Sequence, residues 1–371
     1  MKKILALALA LCMVFALCAA SASAEADVKV AMITDYGDIT DQSFNQTTYE
    51  ACKAFCEANG VDFTYYKPAS DSDEDRISMI EKAIDDGFSV IVMPGYAFAP
   101  AIAATAEDYD DVYFIALDVS EYDLTSSGLE ELPANLYSAV YQEELCGYMA
   151  GYAAVKLGYT KLGFLGGMAV PAVVRYGYGF VQGADAAAAE LEKADVEVKY
   201  AYGNQFYGDA DITAAMDTWY ADGTEVVFAC GGGIYTSAVD AAKKVDGKVI
   251  GVDVDQAGVI QNYAEADDTS MTVTSAMKGL AATVNTELAA VLDGSFEGGK
   301  VENLGLVSEV PEENYVQLAG STQFAEGFTA EDCAALVVAM LNGEVVVNND
   351  ITIAAADNAT VVAVNDLGNL K

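Results

Sequence analysis

The chain has 371 residues, with 57 acidic against 18 basic side chains, a formal charge of −39 and no histidine. Such a field repels nucleic acid and anionic lipid, while 53% hydrophobic residues and 22 tyrosines exclude an acidic disordered chain. The missing histidine removes Ser-His and Cys-His nucleophile systems, histidine general bases and the usual zinc sites together.

Residues 1–24, MKKILALALALCMVFALCAASASA, join two lysines to an apolar run and an Ala22-Ser23-Ala24 end. They read as a secretory signal peptide cleaved before Glu25. Export follows, to an extracellular or periplasmic location. A lipid tether needs a cysteine after a small residue, and Cys12 and Cys18 both follow leucine, so plain secretion is favoured over a cell-surface tether. No later segment approaches the roughly 20 apolar residues of a membrane helix. What remains after the leader exceeds the size at which a single core keeps growing, so two domains are expected. Its five cysteines, Cys52, Cys56, Cys146, Cys230 and Cys333, are odd in number and irregularly spaced, which suits buried thiols.

Short β-rich runs then alternate with amphipathic segments. The strands are predicted at Val28–Ile33, Asp62–Tyr66, Ser89–Met93, Val112–Leu117, Leu136–Val140, Lys161–Leu165, Val196–Tyr202, Val226–Ala229, Lys248–Val252 and Met271–Thr274. The helices between them are predicted at Ser43–Ala58, Asp73–Asp86, Pro100–Asp108, Gln142–Leu157, Val170–Leu191, Asp209–Ala221, Ile234–Val245 and Met277–Asp293. This alternation means an α/β protein with parallel sheets covered on both faces and right-handed crossovers. One set of units precedes Val140 and a second follows it, so two doubly wound lobes are expected. From Gly294 the tail reads as finishing strands, EVVVNNDITI among them, and one helix, Ala330–Leu341.

Parallel sheets bind ligands beyond the carboxyl ends of their strands. In the first set those ends carry Thr34-Asp35-Tyr36-Gly37-Asp38, Pro94-Gly95-Tyr96-Ala97-Phe98 and Asp118. In the second they carry Gly166-Gly167-Met168, Cys230-Gly231-Gly232-Gly233 and Asp253-Val254-Asp255-Gln256. Two lobes with these ends facing inward make a cleft.

The glycine loops lack the lysine and Ser/Thr of a P-loop, and no G-x-G-x-x-G opens a helix after the first strand, which argues against a nucleotide enzyme. In DSDEDR, Arg76 stands where a calcium loop needs glycine and Lys82 where it needs glutamate, so helix capping explains it better than metal. Asp35, Asp41, Asp118, Asp253 and Asp255 include pairs suited to glycoside hydrolysis, yet strand-end carboxylates also bind sugar hydroxyls without chemistry. With aromatics beside the acids, binding is the more economical reading. No metal or cofactor is expected. Asp41 is read as a helix N-cap and Phe44 as core.

VAMITDYGDITDQSFNQTTYEA, VIVMPGYAF, VYFIALD, KLGFLGGM, VRYGYGFVQGA, VFACGGG, IGVDVDQ and TVTSAMKG resemble, in order and spacing, the basic membrane protein family of ABC-transporter substrate-binding proteins. Its best understood members are purine nucleoside receptors. The resemblance implies a type I periplasmic-binding-protein fold, with residues 25–141 and 276–325 in the N-terminal lobe and 142–275 and 326–371 in the C-terminal lobe. Crossing strands would join the lobes, and hinge motion would close them on a ligand. It implies base reading by Asn45 and Asp118, ribose binding by Asp253 with Asp255 as competitor, a ribose contact from Lys278, and close backbone approach at Gly231, Gly232 and Gly233. Phe228 aligns with a stacking aromatic, and its place inside a strand equally suits the core. Thr40 stands where some family members carry a stacking aromatic, so Tyr36, Tyr96 and Phe98 are candidates for the stack. Lys278 is expected to begin a helix, where its charge opposes the dipole.

The function so implied is an exported, non-enzymatic receptor that delivers a nucleoside to an ABC transporter permease, with no nucleic-acid partner and membrane contact only through the permease or a lipid tether. The alternatives are the same fold binding a sugar, a sugar-derived signal or an amino-acid-like compound, and a surface sensor without a transporter.

Overall fold

In the structure, a computed structural model describing residues 28–371, buried apolar strands set the frame. The expected signal peptide lies outside the described residues. The first sheet comprises β1 (Lys29–Ile33), β2 (Asp62–Tyr66), β3 (Val90–Pro94), β4 (Tyr113–Leu117), β5 (Leu136–Tyr141) and β11 (Lys300–Leu304), in the order β11-β5-β4-β3-β1-β2 and parallel throughout. Alternate side chains feed two cores. Val30, Met32, Val90 and Val92 meet Cys52 and Cys56 of α1 (Phe44–Asn59) and Leu280 and Val284 of α10 (Leu280–Asp293). Ala31, Ile33, Ile91 and Met93 meet α2 (Asp73–Asp85), α3 (Ala99–Thr105) and α4 (Glu121–Ser126) on the other face. This two-sided burial is why the strands read as continuous apolar runs.

The second sheet holds β6 (Lys161–Gly166), β7 (Glu197–Tyr202), β8 (Val226–Cys230), β9 (Lys248–Asp253), β10 (Thr272–Lys278), β12 (Val316–Leu318) and β13 (Ala363–Asn369), in the order β12-β10-β9-β8-β6-β7-β13. Only β12 is antiparallel to its neighbour. α5 (Glu143–Lys156) and α6 (Pro171–Glu190) cover one face, with α7 (Ala210–Ala221), α8 (Tyr235–Ala242) and α9 (Ala257–Ala264) on the other. The five cysteines among the described residues are free and buried.

The chain crosses between lobes after β5, after β10 and between β11 and β12. Strand pairing runs differently from the expected lobe boundaries. β10 and β12 both lie in the second sheet, so of the segment 276–325 only α10 and β11 return to the first. Lys278 also departs from expectation: it ends strand β10, and α10 begins two residues later at Leu280. Asp71–Arg76 starts a helix, with the Ser72 hydroxyl accepting from the Asp75 amide at 3.2 Å and acids filling the first turn. In the tail, α11 (Ala330–Leu341) matches its predicted span. EVVVNNDITI forms no strand, and the finishing strands are β11, β12 and β13 instead.

Candidate functional site

Each sheet has a switch point where the chain reverses its direction of travel across the strands: between β1 and β3 in the first, between β6 and β8 in the second. The loops there face one another across a cavity of about 340 Å³. That volume is within the roughly 300–1,000 Å³ of small-molecule sites. Asp35, Tyr36, Asn45, Asp118, Gly231, Gly232, Gly233, Asp253 and Lys278 all line it.

Asp118 follows β4 and Asp253 ends β9, at comparable places in the two lobes, and both have left-handed backbones, with φ 62° and 65°. A non-glycine residue held there costs roughly 1 kcal/mol or more. Both carboxylates line the cavity from these bends. Lys278 lies between the two aspartates. Its ammonium is 2.5 Å from Asp118 Oδ2, 3.4 Å from Glu143 Oε1 and 4.0 Å from Asp253 Oδ1. The rings of Phe44, Tyr141 and Tyr176 surround the same ammonium at 4.8, 5.4 and 5.9 Å from their centroids. Burial opposes the charge on Lys278, but Asp118, Glu143 and Asp253 outweigh it and hold the pKa above the usual lysine range. Burial pushes the Asp118 carboxyl up to about 6 despite Lys278, and pushes Asp253 up as well. Glu143 is also buried, yet Arg175 at 2.6 Å and Lys278 keep its carboxyl below the usual glutamate range. The result is a buried chain of alternating charge, Arg175-Glu143-Lys278-Asp118.

On the first-lobe side, Asp41 caps α1 from outside it. Its carboxylate accepts from the amides of Ser43, Asn45 and Gln46 at 2.9, 2.9 and 3.0 Å. The same carboxylate takes the Asn45 side-chain amide at 3.2 Å, which leaves Asn45 Oδ1 buried without a partner among the described residues. Asp118 Oδ1 is unpartnered in the same sense. Two buried acceptors beside the cavity thus have no partner among the described residues. Asp35 is largely engaged within its own loop, accepting from Tyr36 and Gly37 amides at 2.6 Å. Burial raises its carboxyl pKa.

Three sequence candidates lie elsewhere. Phe228 is wholly buried inside β8, packed against Phe164, Tyr176 and Phe180, and is core. Asp255 is exposed and does not line the cavity; it accepts from the amide of Ala257 and the hydroxyl of Ser321. Phe98 is likewise buried in the first-lobe core, whereas Tyr96 lines the cavity. Phe44, expected as core, lines the cavity against Lys278.

The sequence reading missed Phe206, in the loop after β7. Its ring rests on the second-lobe glycines: a Cβ on Gly167 would come within 2.3 Å of it, and one on Gly231 within 2.8 Å. Those glycines thus make room for an aromatic, and Gly231 also borders the cavity. Phe206 faces Tyr36 of the first lobe, centroids 6.4 Å apart. The signal was available, since GNQFYGD is a strand-end loop like the others.

The lobes also touch around the cavity. Ser43 Oγ donates to Asp253 Oδ2 at 2.5 Å, Gln256 Nε2 donates to the Gln42 carbonyl at 3.0 Å, and the Tyr36 hydroxyl meets Met168 Sδ at 3.1 Å. A two-lobed α/β chain closed over an acid- and aromatic-lined cavity is the architecture expected of a binding protein. The Bmp family model, described as ABC transporter substrate-binding protein PnrA-like, matches residues 28–319. The chain belongs to this family. It is 28% identical over 294 residues to the ABC transporter nucleoside-binding protein BmpA of Lactococcus lactis subsp. cremoris, covering 75% of this chain and 79% of that one. It is 29% identical over 285 residues to basic membrane protein A of Borreliella burgdorferi, covering 75% and 76%. An ABC transporter solute-binding protein from Aeropyrum pernix superposes with a TM-score of 0.66 at 21% identity, covering 89% of this chain and 90% of that one. At that identity the likeness shows the fold alone, the type I fold of periplasmic solute-binding proteins. As a Bmp-family member the chain is a substrate-binding protein of the ABC-transporter class. Among its described residues no helix is long and apolar enough to cross a membrane.

Proposed function

We propose that this protein is an exported nucleoside receptor, which closes its lobes on a purine nucleoside and presents it to an ABC permease without chemical change. The observation that carries the reading is the division of labour around the cavity. The unpartnered acceptors Asn45 Oδ1 and Asp118 Oδ1 suit the donor edge of a base, Tyr36 and Phe206 flank the space where its faces would lie, and Asp253 with Lys278 suits sugar hydroxyls. The carboxylates of Asp35, Asp38, Asp41, Asp118, Glu143 and Asp253 outnumber the cations Lys67, Lys278 and Arg175 nearby, which favours an uncharged nucleoside over its phosphate esters.

A thermal-shift screen of purified protein against nucleosides, nucleotides, pentoses and amino acids tests this. Purine nucleosides are expected to raise the melting temperature, since a ligand at 100 times its Kd adds about 2.7 kcal/mol. Asp253→Ala is expected to abolish the shift while remaining folded. Stabilisation by a pentose or an amino acid with none by nucleosides would overturn the reading.

A further inference from the structure

The loop from Gly203 to Asp209 brings Phe206 into the cavity wall, and two sets of contacts hold it. One set comes from the glycine loops. The amides of Gly203 and Asn204 donate to the carbonyls of Gly166 and Gly167 at 2.8 and 2.9 Å, and the Phe206 carbonyl accepts from the Gly233 amide at 2.8 Å. The other set comes from the end of β13. The pairing of β13 with β7 slips there: Asp366 stands opposite Tyr200 and Asn369 opposite Tyr202, with Gly368 left-handed at φ 65° in between. An extra residue of this kind bends a strand and re-aims the side chains beyond it. Past the slip, the Leu370 amide donates to the Tyr202 carbonyl at 2.8 Å and its side chain packs on the second-lobe core. The Lys371 ammonium reaches the Asp209 carboxylate and donates to Gln205 Oε1 at 3.2 Å.

Asp209 divides its carboxylate between helix and loop. Oδ1 caps α7, accepting from the amides of Asp211 and Ile212 at 3.0 Å, while Oδ2 accepts from Gln205 Nε2 at 3.0 Å and from Lys371. Gln205 Nε2 also donates to the Tyr207 carbonyl at 2.8 Å, so its side chain bridges the stretch that contains Phe206. Lys371 touches both residues of this brace, and among the described residues no other cation pairs with Asp209. Their side chains are only 28% and 27% exposed, which limits screening of the pair by solvent. Asn204 is left-handed at φ 58°, a backbone that persists in a non-glycine residue only where its surroundings fix it. We infer that Lys371 is a positioning residue for the ligand site: by holding Gln205 and Asp209 it keeps Phe206 opposite Tyr36, where a base would stack. The effect on the base rests on the nucleoside reading above. The segment that supplies Lys371 lies beyond residues 28–319, which match the family model.

The test joins amide hydrogen exchange of the unliganded protein to calorimetric titration with inosine, for wild type, Lys371→Ala, Lys371→Arg, Phe206→Ala and the double variant Lys371→Ala/Phe206→Ala. Lys371→Ala is expected to exchange faster over residues 203–209. It should melt close to wild type, because Asp209 Oδ1 still caps α7. It should bind inosine about 2- to 5-fold more weakly, the span of a partly exposed ion pair, and Lys371→Arg should restore both exchange and affinity. In the Phe206→Ala background the same substitution should cost no further affinity, since two changes that act through one ring are not additive. An equal loss with and without Phe206, or exchange and affinity both unchanged in Lys371→Ala, would overturn the inference. Wild-type protein that binds no inosine would overturn the nucleoside reading, and the exchange comparison would still decide whether Lys371 holds the loop.

Discussion

Asp118 combines a left-handed backbone, a buried carboxyl raised to about 6 and a salt bridge to the other lobe. Its folded pKa is above the ordinary value of 3.8, so the folded protein holds this proton more tightly than the unfolded chain does. The contribution of Asp118 to unliganded stability therefore grows as pH falls from about 6 towards 4 and declines as pH rises through that window. Ligand binding responds with the opposite sign, because an acceptor for a base donor must be ionised. Nucleoside affinity is expected to fall below about pH 6, approaching tenfold per pH unit for one linked proton. Asp118→Asn should bind weakly at every pH and show a flatter profile, in titrations run from pH 4.5 to 8. An unchanged slope in the variant would assign the titration to another group. Asp118 and Asp253 were legible in the sequence because a polar residue ending an apolar strand has few structural roles. Lys278 was found for a partly mistaken reason, since a strand end and a helix start are two residues apart here and no local pattern separates them. Glu143 and Arg175, which hold it, were not legible, because their partnership spans sheets and helices far apart in the chain.

At the scale of elements, the central apolar strands were read to within a few residues because each is buried on both faces, edge strand β2, with no buried residue, from its β-rich composition, and the long helices from their buried faces. The short α4 and α9 were missed, as were the pairings of the tail: β12 has three residues and β13 an exposed, glycine-containing sequence, so neither carries a strand pattern. The glycine loops were read as backbone contacts for a ligand, and their packing gives them a second role. Gly167 and Gly231 come from different strand ends, yet both leave space for the ring of Phe206. Gly167→Ala needs no unusual backbone angle and collides chiefly with that ring. It is expected to displace Phe206 and lower nucleoside affinity by an amount within the roughly 1–3 kcal/mol that stacking on one base is worth. The melting temperature of the unliganded protein should change little, and Phe206→Ala should match the loss. Wild-type affinity in Gly167→Ala would mean that Phe206 does not stack.

The whole molecule adds a property that neither lobe has by itself. Lys278-Asp118, Ser43-Asp253, Gln256-Gln42 and Tyr36-Met168 join the lobes around the cavity, so closure is built partly from the groups proposed to meet the ligand. Such contacts bias the open-closed equilibrium before any ligand arrives, and apparent affinity scales with the fraction of molecules able to close. Ser43 offers a way to separate the two effects, because it is buried beside the cavity and does not line it. Its hydroxyl satisfies Asp253 Oδ2 across the interface. Ser43→Ala removes that bond and leaves the carboxylate oxygen short of a partner, which disfavours the closed state. The unliganded variant is expected to show a larger radius of gyration than wild type in solution scattering, and nucleoside affinity should fall about 10- to 150-fold, the range of a hydrogen bond to a charged group. Saturating ligand should return it to the wild-type compact form, because the remaining contacts and the ligand still favour closure. If the unliganded variant is as compact as wild type and binds equally well, the Ser43-Asp253 contact contributes nothing to closure, and the bias must come from Lys278-Asp118, Gln256-Gln42 and Tyr36-Met168.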